Sequence, residues 1–115
     1  MQKNNDGIKI ILLCGGKGER LHPLTYEIPK PLIKINNKQI LSYIIDHLSK
    51  YELNDIIITT GYKSENFVEY INEYYPHSKY ILSDSGDVDI IKRIQGCIKY
   101  INSDFMVLYG DTITD

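Results

Sequence analysis

Leu12 to Ile35 reads LLCGGKGERLHPLTYEIPKPLIKI, and the order of residue types in it decides the fold. An apolar run already under way at Ile8 enters the turn Gly15-Gly16-Lys17-Gly18, and a Pro29-Lys30-Pro31 segment follows. Glycines at the end of a buried strand let backbone N–H groups approach a ligand with no Cβ between, and they reach positive φ at little steric cost. Lys17, Arg20 and Lys30 bring positive charge to the same stretch. Backbone donors with clustered cations suit the phosphates of a nucleoside triphosphate.

Working outward, Ile8 to Leu13 is apolar except for Lys9 and reads as a buried strand. Leu32 to Ile35 reads as a short extended piece, and Asn36-Asn37 as a turn. Apolar residues at helical spacing predict a helix over Ile40 to Leu48, with Lys50 suitably placed at its C-terminal end. Asp55 to Thr60 is the second strand, stopped by Gly61. Ser64 is the expected N-cap of a helix that carries Phe67, Val68, Tyr70, Ile71 and Tyr74 and ends before Pro76. Lys79 to Ser83 is the third strand. Val88 to Ile101 has helical spacing through Ile90, Ile91, Ile94, Cys97, Ile98 and Ile101. Phe105 to Tyr109 is a fourth strand, ended by Gly110-Asp111.

The order β-α-β-α-β-α-β predicts an α/β, Rossmann-like fold: a parallel sheet with helices on both faces and right-handed crossovers. With its strands in the order 3-2-1-4, the sheet reverses between the first and the fourth. Ligands bind in the crevice that opens at the carboxyl ends of such neighbouring strands. The Gly-rich turn after strand one and Asp111 after strand four then face one another across it.

Composition narrows the function classes. A chain of 115 residues is one domain, and a domain of that size buries roughly two-thirds of the surface its unfolded chain exposes. The net charge of −2 gives no general attraction to nucleic acid or to an anionic membrane, so neither is an expected partner. Charge is instead local: Lys17, Arg20, Lys30, Lys34 and Lys38 face only Glu19 and Glu27 in that interval, an electropositive patch in an acidic chain. Cys14 and Cys97 have no metal-ligand or redox spacing and read as free thiols. Ile8 to Leu13 is too short for a signal peptide or a membrane span, which makes the cytoplasm the expected compartment.

Two familiar phosphate motifs do not fit. Walker A spacing is absent from Cys14 to Arg20. A dinucleotide fingerprint begins at Gly16 and Gly18, but Leu21 replaces its third glycine, and the second strand ends in Thr59-Thr60-Gly61 without the carboxylate that would hold a ribose. Nucleotidyl transfer remains. An oxygen of a phosphorylated small molecule attacks the α-phosphorus and pyrophosphate leaves, so charge must be neutralised at both ends. Arg20, always cationic and rich in donors, suits the leaving pyrophosphate.

From Gly15 to Ile35 the chain resembles the sugar-1-phosphate nucleotidylyltransferases and matches their signature GGxGxRLxPLTxxxPKPLxxI at every fixed position. The resemblance implies transfer from a nucleoside triphosphate to a sugar 1-phosphate or a related phosphorylated small molecule, with an NDP-sugar as product. It makes Arg20 and Lys30 the catalytic residues and sets Lys30 against the attacking phosphate and the α-phosphate. Leu13, Cys14, Gly15, Gly16, Lys17, Gly18 and Gly86 become the nucleotide-binding set, and Asp111 the metal ligand, for Mg²⁺. By position, Ser83 to Arg93 (SDSGDVDIIKR) corresponds to the family's base-reading loop. Asp84, Asp87 and Asp89 in it read equally well as helix-capping acids. Tyr109-Gly-Asp-Thr is similar to the cytidylyltransferase branch, though neither base nor acceptor is fixed by it.

The resemblance covers all 115 residues but only the first half of the family's catalytic domain, so residues 1–115 read as the N-terminal nucleotide-binding portion of a truncated nucleotidyltransferase fold. The sugar-binding lysine and glutamate and a second metal-binding aspartate, which the family carries in its other half, have no counterpart here. The expectation is therefore an incomplete half that is inactive alone and associates with itself or with a completing chain. The alternative is a non-catalytic nucleotide-binding or regulatory module that kept the triphosphate cradle.

Overall fold

The computed structural model describes residues 8–15, 28–86, 88–101 and 104–110. Four parallel strands form its centre: β1 (Lys9–Leu13), β4 (Ile56–Thr60), β5 (Ile81–Asp84) and β6 (Phe105–Tyr109). Their spatial order is β5-β4-β1-β6, the expected order with the first strand beside the fourth. Registers are regular, Leu12 lying opposite Ile58 on one side and Leu108 on the other.

β1 and β4 read as continuous apolar runs because both of their faces are covered. Ile10 and Leu12 of β1, with Ile56 and Ile58 of β4, pack on Leu41, Ile45 and Leu48 of helix α1 (Ile40–Lys50) and on Phe67 and Tyr70 of helix α2 (Ser64–Tyr74). The alternate residues Ile11, Leu13 and Ile57 face Cys97, Ile94, Tyr100 and Ile101 on the other side. Burying an isoleucine side chain is worth roughly 1.5–3 kcal/mol. A charge at Ile11 or Ile57, both fully buried, would break the sheet.

Asn36-Asn37 is the turn of a hairpin between β2 (Lys34–Ile35) and β3 (Lys38–Gln39). Both asparagines have positive φ, 55° and 67°, as a two-residue hairpin turn requires. The hairpin is latched to α1: the Tyr43 hydroxyl donates to the Ile35 carbonyl at 2.7 Å, and Lys38 pairs with Asp46 at 2.7 Å.

Three local expectations need correction. Ser64 is the first residue of α2 and not its N-cap; the cap position is Lys63, in the left-handed region, while the Ser64 hydroxyl bonds back to the Gly61 carbonyl at 3.1 Å. The extended piece expected from Leu32 starts at Lys34, because Lys30–Leu32 forms a 3-10 turn. The third helix is also shorter than its apolar pattern. Helix α3 spans Ile90–Gln95, breaks at Gly96, and resumes as a 3-10 turn at Ile98–Tyr100. Asp89 sets its start by accepting from the Lys92 amide at 2.9 Å. Ile90 and Ile91, which share its apolar spacing, are exposed by 41% and 67%.

Candidate functional site

The carboxyl ends of the four strands meet around glycines. β1 runs through the buried Cys14 into Gly15, β4 into Gly61, β5 into Ser85-Gly86, and β6 into Gly110. Backbone bonds stitch these ends together. The Gly110 amide donates to the Leu13 carbonyl at 3.0 Å, Cys14 to Thr59 at 3.0 Å, Tyr62 to Gly15 at 3.3 Å, and Ser85 to Thr60 at 3.3 Å. Two of these junctions are closed to a Cβ as the chain stands: one on Gly61 would lie 2.5 Å from the Gly86 carbonyl oxygen, and one on Gly15 would lie 2.6 Å from Arg93 Nε.

Gly86 differs from its neighbours. Its φ of +74° calls for glycine, but its Cβ direction is open, with nothing within 4 Å. The Asp84 carboxylate holds this turn by accepting from the Gly86 amide at 2.9 Å. Of the acids in this segment Asp89 is a helix cap, whereas Asp84 holds the loop before it; Asp87 lies outside the described residues.

Lys30 begins the 3-10 turn, following Pro29 at φ −59° and ψ 145°. Bonds from Leu32 to Pro29 at 2.9 Å and from Ile33 to Lys30 at 3.1 Å close the turn. Pro31 and Leu32 are buried, and Leu32 belongs to the core cluster that contains Cys14. The prolines fix the backbone, and the buried leucine anchors it.

Leu13, Cys14 and Gly15 thus stand at the switch point between β1 and β6, and Gly86 stands at the end of β5. Gly16, Lys17, Gly18, Arg20 and Asp111 lie outside the described residues. Among the described residues no three His, Cys, Asp or Glu side chains gather where they could hold a metal ion. A Mg²⁺ ion that arrives on a triphosphate needs only one or two protein carboxylates.

Arg93 was not legible as a site residue. Its Nη2 donates to the Gly15 carbonyl at 3.2 Å, which brings a guanidinium from α3 to the start of the Gly-rich turn. Nothing in the order Ile91-Lys92-Arg93 marks Arg93 rather than Lys92 for that place. Beside it the Cys97 thiol donates to the Arg93 carbonyl at 3.4 Å; burial pushes its pKa up and so favours the neutral thiol, partly opposed by a hydrogen bond with Ser83. No helix among the described residues is long and apolar enough to cross a membrane.

Comparison with known proteins agrees with this geometry. The family model described as Nucleotidyl transferase matches residues 9–115. The bifunctional protein GlmU of Methanococcus maripaludis is 39% identical over 103 residues, covering 90% of this chain and 24% of its own length. The D-glycero-alpha-D-manno-heptose 1-phosphate guanylyltransferase of Campylobacter jejuni is 32% identical over 109 residues, covering 94% of this chain and 49% of the relative. In structure, the CTP:phosphocholine cytidylyltransferase LicC of Streptococcus pneumoniae superposes with a TM-score of 0.75 at 33% identity, over 90% of this chain and 45% of that one. The chain spans about a quarter to a half of the length of these relatives. Because the family model runs through all four strands and the glycine-bearing ends that line the crevice, the chain belongs to the nucleotidyl transferase family.

Proposed function

We propose that residues 1–115 are the N-terminal nucleotide-binding portion of an enzyme that transfers a nucleotidyl group from a nucleoside triphosphate to a sugar 1-phosphate, or to a similar small phosphate, and releases pyrophosphate. One observation carries the reading. Glycine-bearing strand ends meet at the switch point of a parallel sheet, and the cation-rich stretch Lys17 to Lys38 leaves from that same point. The relatives' names support the acceptor class, since one is a heptose 1-phosphate guanylyltransferase and another a phosphocholine cytidylyltransferase.

In this reading an acceptor phosphate oxygen forms a bond to the α-phosphorus while the bond to the bridging oxygen breaks. Backbone N–H groups of the Gly-rich turn and Arg20 receive the charge that builds on the departing pyrophosphate. Lys30, on its proline-fixed turn, offsets repulsion between the attacking phosphate and the α-phosphate. Removing one preorganised charge of this kind costs roughly 10²- to 10³-fold in rate. Asp111 would hold Mg²⁺, which when bound neutralises triphosphate oxygens. Gly86, whose Cβ direction is open, is the residue this reading assigns to the base. The triphosphate substrate fits a cytoplasmic reaction.

The test joins this sequence to the second half of the family's domain and supplies Mg²⁺, each triphosphate and a panel of phosphate acceptors. Pyrophosphate and the nucleotidyl product should appear in equal amounts with one triphosphate. Binding of triphosphate with no product under any pairing would favour the non-catalytic nucleotide-binding module instead.

A further inference from the structure

We propose that Arg93 is a positioning residue that clamps the start of the nucleotide turn. The consequence for binding rests on the nucleotide reading above, whereas the clamp itself rests on geometry. The Gly15 carbonyl accepts from two donors, Arg93 Nη2 at 3.2 Å and the Tyr62 amide at 3.3 Å, so both of its lone pairs are held. A Cβ on Gly15 would meet Arg93 Nε at 2.6 Å, Cζ at 2.9 Å and Cδ at 3.2 Å. Glycine at position 15 is therefore what admits the guanidinium, and arginine at 93 is what fills the space.

A peptide is planar, so the direction of a carbonyl fixes the amide that follows it. Holding the Gly15 carbonyl between Arg93 of α3 and Tyr62, in the loop before α2, orients the first peptide of the turn whose backbone donors are to meet phosphate. It also places a permanent cation beside that peptide. A lysine has no planar fork and cannot hold the same geometry.

A second observation marks this place. Arg93 Nε is buried with no hydrogen-bond partner among the described residues, and so is Thr59 Oγ1, on a residue that is 0% exposed. Thr59 lies opposite Leu13 in the sheet and its carbonyl holds the Cys14 amide, so both unpaired atoms sit at the crevice end. Buried unpaired polar atoms are costly and call for an explanation. A guanidinium kept here for packing alone would be better replaced by an apolar side chain. One kept to orient the Gly15 peptide must remain an arginine.

The experiment compares the wild-type chain with Arg93→Ala, Arg93→Lys, Gly15→Ala and the Arg93→Ala/Gly15→Ala double variant. Two quantities are measured: amide hydrogen exchange at Tyr62 in the free chain, and affinity for each Mg²⁺-triphosphate. Both Arg93 variants should exchange faster at Tyr62 and bind about tenfold or more weakly, the scale of a charge-assisted hydrogen bond. Gly15→Ala should reproduce the loss, and the double variant should add little to either single one. Full rescue by Arg93→Lys would reduce the role to charge and overturn the clamp, as would unchanged exchange together with unchanged affinity. If Arg93→Ala fails to fold, Arg93→Lys carries the test. Should the wild-type chain bind none of the triphosphates, the functional reading fails; exchange at Tyr62 still judges the clamp, and an unaltered rate in Arg93→Lys overturns it.

Discussion

Gly110 and Cys14 show how tightly single residues are matched where β6 leaves the sheet. A Cβ on Gly110 would collide with the Cys14 sulfur and approach the Leu13 carbonyl oxygen to 3.4 Å. Gly110→Ala should therefore destabilise the fold by about 1–3 kcal/mol, the usual cost of overpacking. Cys14→Ala in the same chain should restore most of that loss, because it removes the sulfur and leaves a Cβ at 3.7 Å. Urea unfolding of both variants checks it; equal destabilisation with and without the sulfur would mean that the clash is not the cause. Lys30 is the complementary case, a residue whose removal should act on chemistry. In the joined enzyme, Lys30→Ala should lower turnover far more than triphosphate affinity, as an interaction strengthened in the transition state does; turnover within a few-fold of wild type would remove it from the reaction. Glycines and a proline-flanked lysine could be singled out from sequence because their residue types limit the backbone. Arg93 could not, since its importance lies in a contact with Gly15, 78 residues away.

At the scale of elements, strands were legible and helix limits less so. β1 and β4 are recognisable because burial on both sides leaves a nearly unbroken apolar run, and β6 by its apolar composition although its side chains are largely exposed among the described residues. α3 misled because Ile90 and Ile91 continue an apolar pattern on a face that the described residues leave open. The 3-10 turn at Lys30 depends on two prolines and the burial of Leu32, a tertiary effect that local periodicity does not carry. The layer under α1 and α2 has its own signature. Tyr70 is buried with its hydroxyl 2.6 Å from Ser42 Oγ, and Tyr75 donates to Asp46 at 3.1 Å. Burial raises the pKa of Tyr70, Tyr75 and Tyr80 above the ordinary 10.0. Unfolded tyrosines ionise near 10.0, so the stability these phenols contribute is complete below that pH and is lost as pH rises toward their folded values. Tyr70→Phe should cost about 0.5–1.5 kcal/mol at neutral pH through the lost hydrogen bond. It should also flatten the decline above pH 10. Denaturation midpoints followed from neutral to alkaline pH decide this, and an unchanged alkaline slope would clear Tyr70 of that role.

For the whole molecule, the parallel sheet followed from the chain's alternation of strands and helices, and the order supposed for it, 3-2-1-4, is the one the structure has. What that alternation does not say is how much of the sheet is covered. β6 bonds to β1 on one side, and no described strand pairs with its other edge. Phe105, Met106, Val107 and Tyr109 are 44%, 45%, 36% and 58% exposed, and they alternate between the two faces. An apolar edge strand without proline or charge invites pairing with another chain. Light scattering should find the 115-residue chain associating as concentration rises, and Val107→Lys should suppress it; a wild-type chain that stays monomeric throughout contradicts the exposed edge. The same chain should release little or no pyrophosphate when given a triphosphate and a sugar 1-phosphate, because an unoriented acceptor forfeits several kcal/mol of the barrier reduction. Binding is a separate matter from turnover, and the central claim is that a triphosphate sits at the glycine-bearing switch point. Titration calorimetry of the chain with each Mg²⁺-nucleoside triphosphate, repeated on Arg20→Ala, tests it most directly. The account predicts saturable binding of at least one triphosphate and a loss of about 1.5–3 kcal/mol in Arg20→Ala; no binding by the wild type, or equal affinity in the variant, would contradict it.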